Sequence, residues 1–377
     1  MRIVLVSRYP RSFDRPRGGV ESVTVILARA LARIDSMEIH LVTLEKGLFK
    51  EMIEHDGRVT IHRLPRTACP EIIDIHIGPG RKRLLAKIRE IAPDIVHSHE
   101  TFGLTLGDLE IPHVFTVHGF DHANIPAEGR PFARVRSFLW NCAEHHGLAK
   151  HKTIISISPY VRGMIEPYAP HANIYDIDNP VDDSYFSIEK KEDKGRVLIL
   201  GWINERKNTL GAVKALVYAR KCGAVGILVV AGEAKLQSYR QLVAEEVRNN
   251  NVSNDVVFLG HINREQLREE LARTSVLLLP SLQENAPMAI SEAMAAGIPV
   301  ITSNRCGMPF MVTHEKSGYL IDPFDISQIG ERLNELLQSK ERRQSMGAEG
   351  RKMALSRFHP DVVAQKTYAV YERLLKE

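Results

Sequence analysis

Short apolar runs alternate with amphipathic segments along the chain, and each half begins in the same way. The run Ile3–Ser7 is followed by a glycine-bearing loop and by a segment, 20–34, whose apolar residues recur with helical period. The pattern restarts with a run at Arg196–Leu200, a loop at 201–208 and an amphipathic segment at Leu210–Ala219. Alternating strands and helices predict α/β sheets covered by helices, and the restart predicts two facing, doubly wound, Rossmann-like domains.

The same rules predict the remaining elements. Predicted strands are Glu38–Leu44, Val59–Leu64, Asp94–Ser98, Val114–Val117, Thr153–Ser158, Ile174–Ile177, Gly226–Ala231, Val256–Leu259, Val276–Leu279 and Ile298–Thr302. Predicted helices are Arg81–Ile91, a helix between Pro287 and Gly297, and Phe358–Leu375. The charged segment 187–195 is the predicted linker. It separates an N-terminal domain, 1–186, from a C-terminal domain, 196–355, and a last helix lies within 356–377.

The stretch 281–303 carries the most informative chemistry. Glu284 lies in a loop after a buried strand, and Pro287 has the fixed φ that suits a first helical position. Glu292 lies five residues later, roughly 7–8 Å along the helix axis. Between the carboxylates are the free N–H groups of the first turn, which favour an anion. The order along this stretch is therefore a carboxylate, an anion-binding helix start and a second carboxylate. It matches the order of sugar hydroxyls, diphosphate and ribose hydroxyls in a nucleotide-sugar.

This stretch, with Pro299–Ile301 after it, resembles the E-x7-E signature of retaining glycosyltransferases of family 4. The resemblance implies the GT-B fold, with the last helix returning to the first domain. It also implies metal-independent transfer of a sugar to an acceptor hydroxyl by a hexosyltransferase-type enzyme (EC 2.4.1.-). No cofactor is implied beyond the donor substrate, a UDP-sugar or a GDP-sugar. We expect Glu284 on the sugar hydroxyls, Glu292 on the ribose, and Asn285, Ala286, Pro287 and Met288 along the donor.

Three further motifs extend the resemblance. Thr116–Gly119 matches the pattern T-x-H-G/D, which implies that His118 faces the donor sugar near the reacting carbon. Gly18 and Gly19 precede a predicted helix, so a ligand can approach the backbone there. In the family such a pair lies by the donor phosphate and the acceptor. The segment that ends at Ile262 corresponds to one whose backbone touches the nucleobase.

The predicted phosphate cations follow the strand at 196–200. The family usually has G-R-L-x-x-x-K at this place, and this chain retains the lysine as Lys207. The usual arginine is Trp202, so Arg206 is the candidate for the missing charge. Adjacent Arg and Lys suit a diphosphate, since one provides a planar fork and the other a point charge.

Bulk properties exclude several classes. The chain has 377 residues, 25% of them charged, and a net charge of +4, which is too mild to indicate nucleic acid. No apolar run approaches the roughly 20 residues of a membrane span, and the N-terminus reads as a strand rather than a signal peptide. The four cysteines lack metal or redox spacing. We expect reduced, mostly buried thiols in a cytoplasmic protein.

Several alternatives stay open. One alternative is a GT-B sugar-nucleotide epimerase, which would need no acceptor. Another is a non-catalytic nucleotide-sugar-binding protein, because Trp202 and Phe310 stand where the family usually has charged residues. Absence of G-x-G-x-x-G counts against a nicotinamide enzyme. Asp176-Ile177-Asp178 is a chance-level match to a D-x-D metal motif, and no metal site is predicted.

The acceptor is a glycan, a lipid or a small polar molecule. The basic loop 8–17 favours an anionic acceptor. The basic face of Arg81–Arg89 is either a solvated helix face or a contact with an anionic membrane.

Overall fold

The chain folds into two compact units. A computed structural model describes residues 1–13, 16, 18–69, 71–128 and 132–376. The first unit comprises Met1–Ala123, Phe132–Pro180 and Pro360–Glu377, and the second comprises Asn124–Pro131 and Val181–His359. Each unit contains its own sheet.

The sheet of the first unit has eight strands among the described residues. They are β1 (Arg2–Val6), β2 (Glu38–Glu45), β3 (Met52–Asp56), β4 (Val59–Pro65), β5 (Ile95–His99), β6 (His113–Val117), β7 (Thr153–Ser156) and β8 (Asn173–Asp176). Their order is β3-β4-β2-β1-β5-β6-β7-β8, and only β3 runs antiparallel to its neighbour. The chain winds outward in both directions from β1 and β5, so the switch point of the sheet lies between these two strands.

The second unit has a parallel sheet. Its strands are β9 (Arg196–Leu200), β10 (Ile227–Ala231), β11 (Val256–Gly260), β12 (Val276–Leu279), β13 (Val300–Ser303) and β14 (Gly318–Ile321). Their order is β11-β10-β9-β12-β13-β14. The switch point here lies between β9 and β12.

Helices connect the strands. In chain order they are α1 (Gly19–Leu31), α2 (Glu71–His76), α3 (Pro79–Ile91), α4 (Glu100–Gly103), α5 (Asp121–Asn124), α6 (Ala133–Leu148), α7 (Pro159–Ile165), α8 (Thr209–Lys221), α9 (Gln237–Asn249), α10 (Arg264–Arg273), α11 (Met288–Ala295), α12 (Ile326–Gln338), α13 (Lys340–Arg357) and α14 (Pro360–Leu374). The last helix, α14, packs on α1 within the first unit. The predicted return of the final helix is therefore confirmed.

Both faces of each sheet are buried, because neighbouring residues of one strand enter different apolar clusters. In β9, Val197 and Ile199 belong to one cluster, whereas Leu198 between them belongs to another. In β1, Ile3 and Val4 separate in the same way. Parallel sheets with both faces covered are the rule for doubly wound folds, and the predicted fold class is confirmed.

The unit boundaries differ from the predicted ones. The first unit ends at Pro180 rather than at 186, and the predicted linker, 187–195, belongs to the second unit. The backbone N–H groups of Lys191 and Asp193 donate to the carbonyls of Ala272 and Arg273, each at 2.9 Å. The charges that suggested a linker are partly paired, since Arg273 also contacts the Asp193 carboxylate at 2.7 Å.

Other expectations also need correction. The cysteines are not mostly buried, because Cys69, Cys142 and Cys222 lie at exposed positions and Cys306 is half-buried. Strand β3 was not predicted, since its charged residues are more typical of a loop than of a strand. Strand β14 was missed as well, because it is only four residues long and begins with a glycine.

The basic face of α3 is smaller than predicted. Lys87 is buried and its ammonium contacts Glu51 at 2.8 Å and Glu90 at 2.7 Å, so it faces the protein. The exposed basic residues of this face are Lys82, Arg83 and Arg89. Within the described residues, no helix combines the length and the apolar character that crossing a bilayer requires.

Close packing of α13 on the end of α11 generates a prediction about two glycines of α13. A Cβ at Gly347 would lie 2.1 Å from the carbonyl oxygen of Gly297, whereas a Cβ at Gly350 would make ordinary contacts of 3.5 Å or more. Gly347→Ala should lower the free energy of unfolding by about 1–3 kcal/mol, the usual cost of overpacking. Gly350→Ala should leave it unchanged or raise it by up to about 1 kcal/mol through helix propensity.

Urea denaturation of the two variants and the parent chain measures this difference. Equal stability of the two alanine variants would contradict the packing described.

Candidate functional site

Two loops of the second unit bring opposite charges together at the switch point of its sheet. Arg206 and Lys207 lie in the loop after β9, and Glu284 lies in the loop after β12. The Lys207 ammonium is 2.7 Å from Glu284 Oε1, and Arg206 Nη1 is 3.1 Å from the same oxygen. Ligands of open α/β sheets bind at this place, outside the carboxyl ends of the strands. Three residues predicted from the sequence are thus adjacent.

Glycine at position 201 makes room for the lysine. Gly201 has φ +131°, and a Cβ there would lie 2.9 Å from Cε of Lys207. The backbone N–H of Lys207 donates to Oδ1 of Asn204 at 2.9 Å, which holds the loop that presents the side chain. Lys207 is only 8% exposed. The loop therefore directs a buried ammonium onto Glu284.

The loop that carries Glu284 is fixed from two sides. Gly307 N–H donates to the carbonyl of Glu284 at 2.9 Å. A Cβ at Gly307 would lie 1.6 Å from the carbonyl oxygen of Asn285, so only glycine fits. On the other side, Arg206 donates to the carbonyl of Gln283 at 3.1 Å. Sequence reasoning did not identify this role of Gly307.

The charge state of Glu284 follows from these neighbours. Burial of the carboxyl by itself raises its pKa, but the charges of Lys207 and Arg206 outweigh that effect and hold the pKa of Glu284 below its usual value. Glu284 is therefore an anion at neutral pH. It can accept hydrogen bonds, and it cannot donate a proton.

Glu292 lies on α11 in a different electrostatic setting. Burial raises the pKa of the Glu292 carboxyl to about 7; Arg264 and Lys207 oppose that rise, and Asp182 adds to it. Arg264 forms an ion pair with Asp182, with Nη1 of Arg264 3.4 Å from Oδ2 of Asp182. In the part of the chain that the structure describes, no side chain or backbone group hydrogen-bonds to the Glu292 carboxyl. The pair Asp182–Arg264 was not anticipated, since 82 residues separate its members.

The predicted helix start is shifted by one residue. Pro287, with ψ 123°, is the residue that caps α11, and Met288 is the first helical residue. Proline with an extended ψ leaves the first-turn N–H groups of α11 at the end of the loop that holds Glu284. Ala286, Met288 and Ile262 are partly buried and pack against the same apolar cluster of the second unit. Asn285, half-buried, joins Glu284 to this start.

The first unit places its predicted residues after the carboxyl ends of β1 and β6. Gly18 caps α1 after the β1 loop, and a Cβ there would meet no described residue within 4 Å. Gly19 is the first residue of α1. His118 follows β6, and its Nε2 is 2.9 Å from Nδ1 of His99 at the end of β5. In the basic loop 8–17, Arg15 and Arg17 lie outside the described residues.

Two aromatic residues stand where the family has charges. Trp202 is 38% exposed, and the ammonium of Lys235 lies 5.5 Å from its ring centroid. Phe310 is 45% exposed. In the D-x-D match, Asp176 accepts a hydrogen bond from Arg162 at 2.7 Å. Within the described ranges no three His, Cys, Asp or Glu side chains are grouped as metal ligands.

The two doubly wound units, one of them with a carboxylate and two cations at its switch point, define a transferase of the GT-B class. Two family models match the chain: Glycosyltransferase Family 4 over residues 17–185, and Glycosyl transferases group 1 over residues 181–353. The chain belongs to glycosyltransferase family 4. The predicted enzyme class, a hexosyltransferase-type glycosyltransferase, is confirmed at the level of that family.

Individual similarities agree with this membership. Spore coat protein SA of Bacillus subtilis is 46% identical over 83 residues, which span 22% of this chain and 22% of that protein. Sucrose-phosphate synthase of Thermosynechococcus elongatus superposes with a TM-score of 0.81 at 19% identity, over 100% of this chain and 99% of that one. A structure of Anabaena HepE in complex with UDP-glucose gives 0.74 at 16% identity, over 100% of both chains.

The raised pKa of Glu292 generates a prediction about pH. A carboxyl whose folded pKa exceeds its unfolded value, here about 7 against 4.5, contributes stability that is full below pH 4.5 and is lost as the pH rises to about 7. Glu292→Gln does not titrate, so this variant should gain stability relative to the parent chain between pH 5 and pH 8. At about 1.4 kcal/mol per pKa unit the gain cannot exceed roughly 3.5 kcal/mol.

Thermal midpoints of the two proteins at several pH values test this, with exposed Glu349→Gln as control. Parallel curves for the parent chain and Glu292→Gln would show that Glu292 is ionised throughout.

Proposed function

We propose that the protein is a retaining, metal-independent glycosyltransferase that moves a sugar from a nucleoside diphosphate donor, a UDP-sugar or a GDP-sugar, to an acceptor hydroxyl. The observation that carries this proposal is the buried Glu284 carboxylate held by Lys207 and Arg206 at the switch point of the second sheet. It sits directly before the start of α11, so an anion acceptor, two cations and helical N–H groups share one place.

The cations serve the diphosphate. A leaving nucleoside diphosphate gains negative charge as the bond to the sugar breaks, and preformed positive groups at that place stabilise the transition state. Lys207 and Arg206 supply two charges, and the first turn of α11 supplies N–H donors. Such a set replaces the divalent cation that other transferases use, so no cofactor beyond the donor is required.

The carboxylates serve the hydroxyls. Glu284 remains an anion and accepts hydrogen bonds from the sugar, which places the sugar over the cations. Glu292 is a buried carboxyl, without hydrogen-bond partners among the described residues, that the ribose hydroxyls can satisfy. A buried polar group left unpaired costs about 1–3 kcal/mol, so a ribose that pairs with Glu292 recovers that cost on binding.

We assign His118 of the first unit a role near the reacting carbon and the leaving group, because Thr116–Gly119 resembles the T-x-H-G/D pattern of the family. Similarity to Anabaena HepE, whose structure holds UDP-glucose, supports a nucleotide-sugar donor. The proposed acceptor is a glycan, a lipid or a small polar molecule. Contact of Lys82, Arg83 and Arg89 with an anionic membrane, at about 1 kcal/mol for each basic residue, would suit a lipid acceptor.

Donor binding tests the roles of the charges. Lys207→Met should weaken UDP or GDP, whichever the parent chain binds, by about 10- to 100-fold, as expected for a lost hydrogen bond to a charged group. The loss should be smaller for the monophosphate, because Lys207 faces the diphosphate. Isothermal titration calorimetry with and without magnesium measures both affinities, with exposed Lys316→Met as the matched control. An equal loss in the control, or binding that requires magnesium, would contradict the proposal.

Turnover separates the enzyme from its alternatives. With UDP-glucose and GDP-mannose as probes and water as acceptor, the parent chain should release the sugar with its anomeric configuration retained, followed by NMR. Glu284→Gln should slow this release by about 100-fold or more, whereas Glu349→Gln should not. Conversion of the donor to its epimer would indicate the epimerase. Donor binding without any turnover, also with glycan acceptors, would indicate a binding protein.

A further inference from the structure

A row of histidines in the first unit extends from His118 into the core. His99 and His97 lie at the end of β5 and are fully buried. The rings of His99 and His97 stack with centroids 4.4 Å apart. The rings of His99 and His118 are nearly parallel, with centroids 5.2 Å apart. The strand that contains His97 was predicted from the sequence, but neither His97 nor His99 was assigned a role.

The hydrogen bonds of this row determine which nitrogen carries each proton. Nδ1 of His99 faces Nε2 of His118 at 2.9 Å, and Nε2 of His99 is buried and has no hydrogen-bond partner among the residues that the structure describes. An unpartnered buried lone pair is less costly than an unpartnered buried N–H. The proton of His99 therefore lies on Nδ1, which donates to Nε2 of His118. With Nε2 of His118 accepting this bond, the proton of the neutral His118 ring lies on Nδ1. The Asn179 side chain is a further hydrogen-bond partner of the His118 ring.

His97 holds the row in place. Its Nδ1 is 2.6 Å from the hydroxyl of Tyr371 on α14, and its Nε2 is 2.6 Å from the hydroxyl of Thr116 on β6. Both ring nitrogens of His97 are thus fixed, and its ring supports that of His99. Helix α14 therefore helps to hold the histidine row in place, through the hydrogen bond between Tyr371 and His97.

We propose that His99 is a positioning residue that holds His118 neutral and in the Nδ1–H tautomer. Its N–H occupies the Nε2 lone pair of His118, the atom to which a proton would add. If His118 were protonated, its Nε2–H would point at the Nδ1–H of His99, and the two N–H groups would repel each other. His99 could avoid this by moving its proton to Nε2, but that N–H would then be buried without a hydrogen-bond partner among the described residues. His118 then acts on a substrate as an oriented neutral ring and not as a proton donor. That last step rests on the proposed function, whereas the tautomer does not.

The surroundings of His118 agree with a neutral ring. His97 and His99 are the titratable side chains that face it from β5, and Asn179 contacts it from the segment after β8. Burial of its ring lowers the pKa of His118 to about 4, with Asn179 opposing the shift. Burial and the neighbouring histidines lower the pKa of His99 far below its usual value as well.

Long-range proton–nitrogen NMR of the full chain, labelled with nitrogen-15 at histidine, tests the proposal without any substrate. The signals of His118 are assigned by their loss in His118→Gln. His118 should show the Nδ1–H pattern and no titration above pH 5. His99→Ala admits water beside Nε2 and should raise the titration midpoint of His118 by at least one pH unit. His99→Asn offers an N–H to the same lone pair and should return the midpoint toward that of the parent chain.

An Nε2–H pattern for His118 in the parent chain would overturn the proposal, and this measurement does not depend on whether a variant folds. An unchanged midpoint in a folded His99→Ala would overturn it too. Exposed His171→Asn is the control and should leave the His118 signals unchanged. Where donor turnover is observed, its rate should fall at acidic pH. The midpoint of this fall should move to higher pH in His99→Ala but not in the His171→Asn control. Failure of the donor assays would refute the proposed function and leave the tautomer result standing.

Discussion

The burial of Glu284 against Lys207 and Arg206 is the interaction on which the arrangement of the second unit depends. A single charge of this kind is too costly to bury, whereas a carboxylate with two cations is tolerated because each charge faces its opposite. The contact requires β9 and β12 to be neighbours, since the residues lie in the loops after these strands. It also requires Gly201 and Gly307, because a side chain at either position would displace the lysine or the glutamate loop.

The histidine row of the first unit is ordered without charge. Burial keeps these histidines neutral, and their order comes from the direction of each N–H rather than from ion pairs. One unit therefore presents charges fixed by their partners, and the other presents a neutral ring fixed by a hydrogen-bond chain. Both devices make the protonation state of the site residue independent of small changes in pH, which suits a reaction whose electrostatics must be set in advance.

Much of this was accessible from the sequence, and the part that was not has a physical reason. Strands β9 and β12 were predicted with the bounds that the structure has, since each is an unbroken apolar run. Glu284 and Lys207 were found because their positions after predicted strands match the spacing of family motifs. The pairing of Arg264 with Asp182, and that of His99 with His118, depends on strand order, which spacing along the chain does not encode.

Local composition also misled where tertiary contacts decide the outcome. The charges of 187–195 are typical of a solvated linker, yet this segment pairs with the end of α10 and belongs to the second unit. Lys87 looked like part of a solvated face, yet Glu51 of a neighbouring segment draws it inward. In both places an ion pair with a distant residue replaced water, and a pattern read along one helix or loop contains no information about that partner.

The two carboxylates of the E-x7-E stretch show how far a motif can be interpreted by itself. Glu284 and Glu292 are the same residue type, and each is 8% exposed, yet the pKa of one is held down and that of the other is raised to about 7. The difference arises from partners outside the motif. Two cations contact Glu284, whereas Arg264, the cation that most lowers the pKa of Glu292, also contacts Asp182. The motif sets the spacing of the carboxyl groups, and the loop after β9 and the start of α10 decide which of them is charged before a substrate arrives.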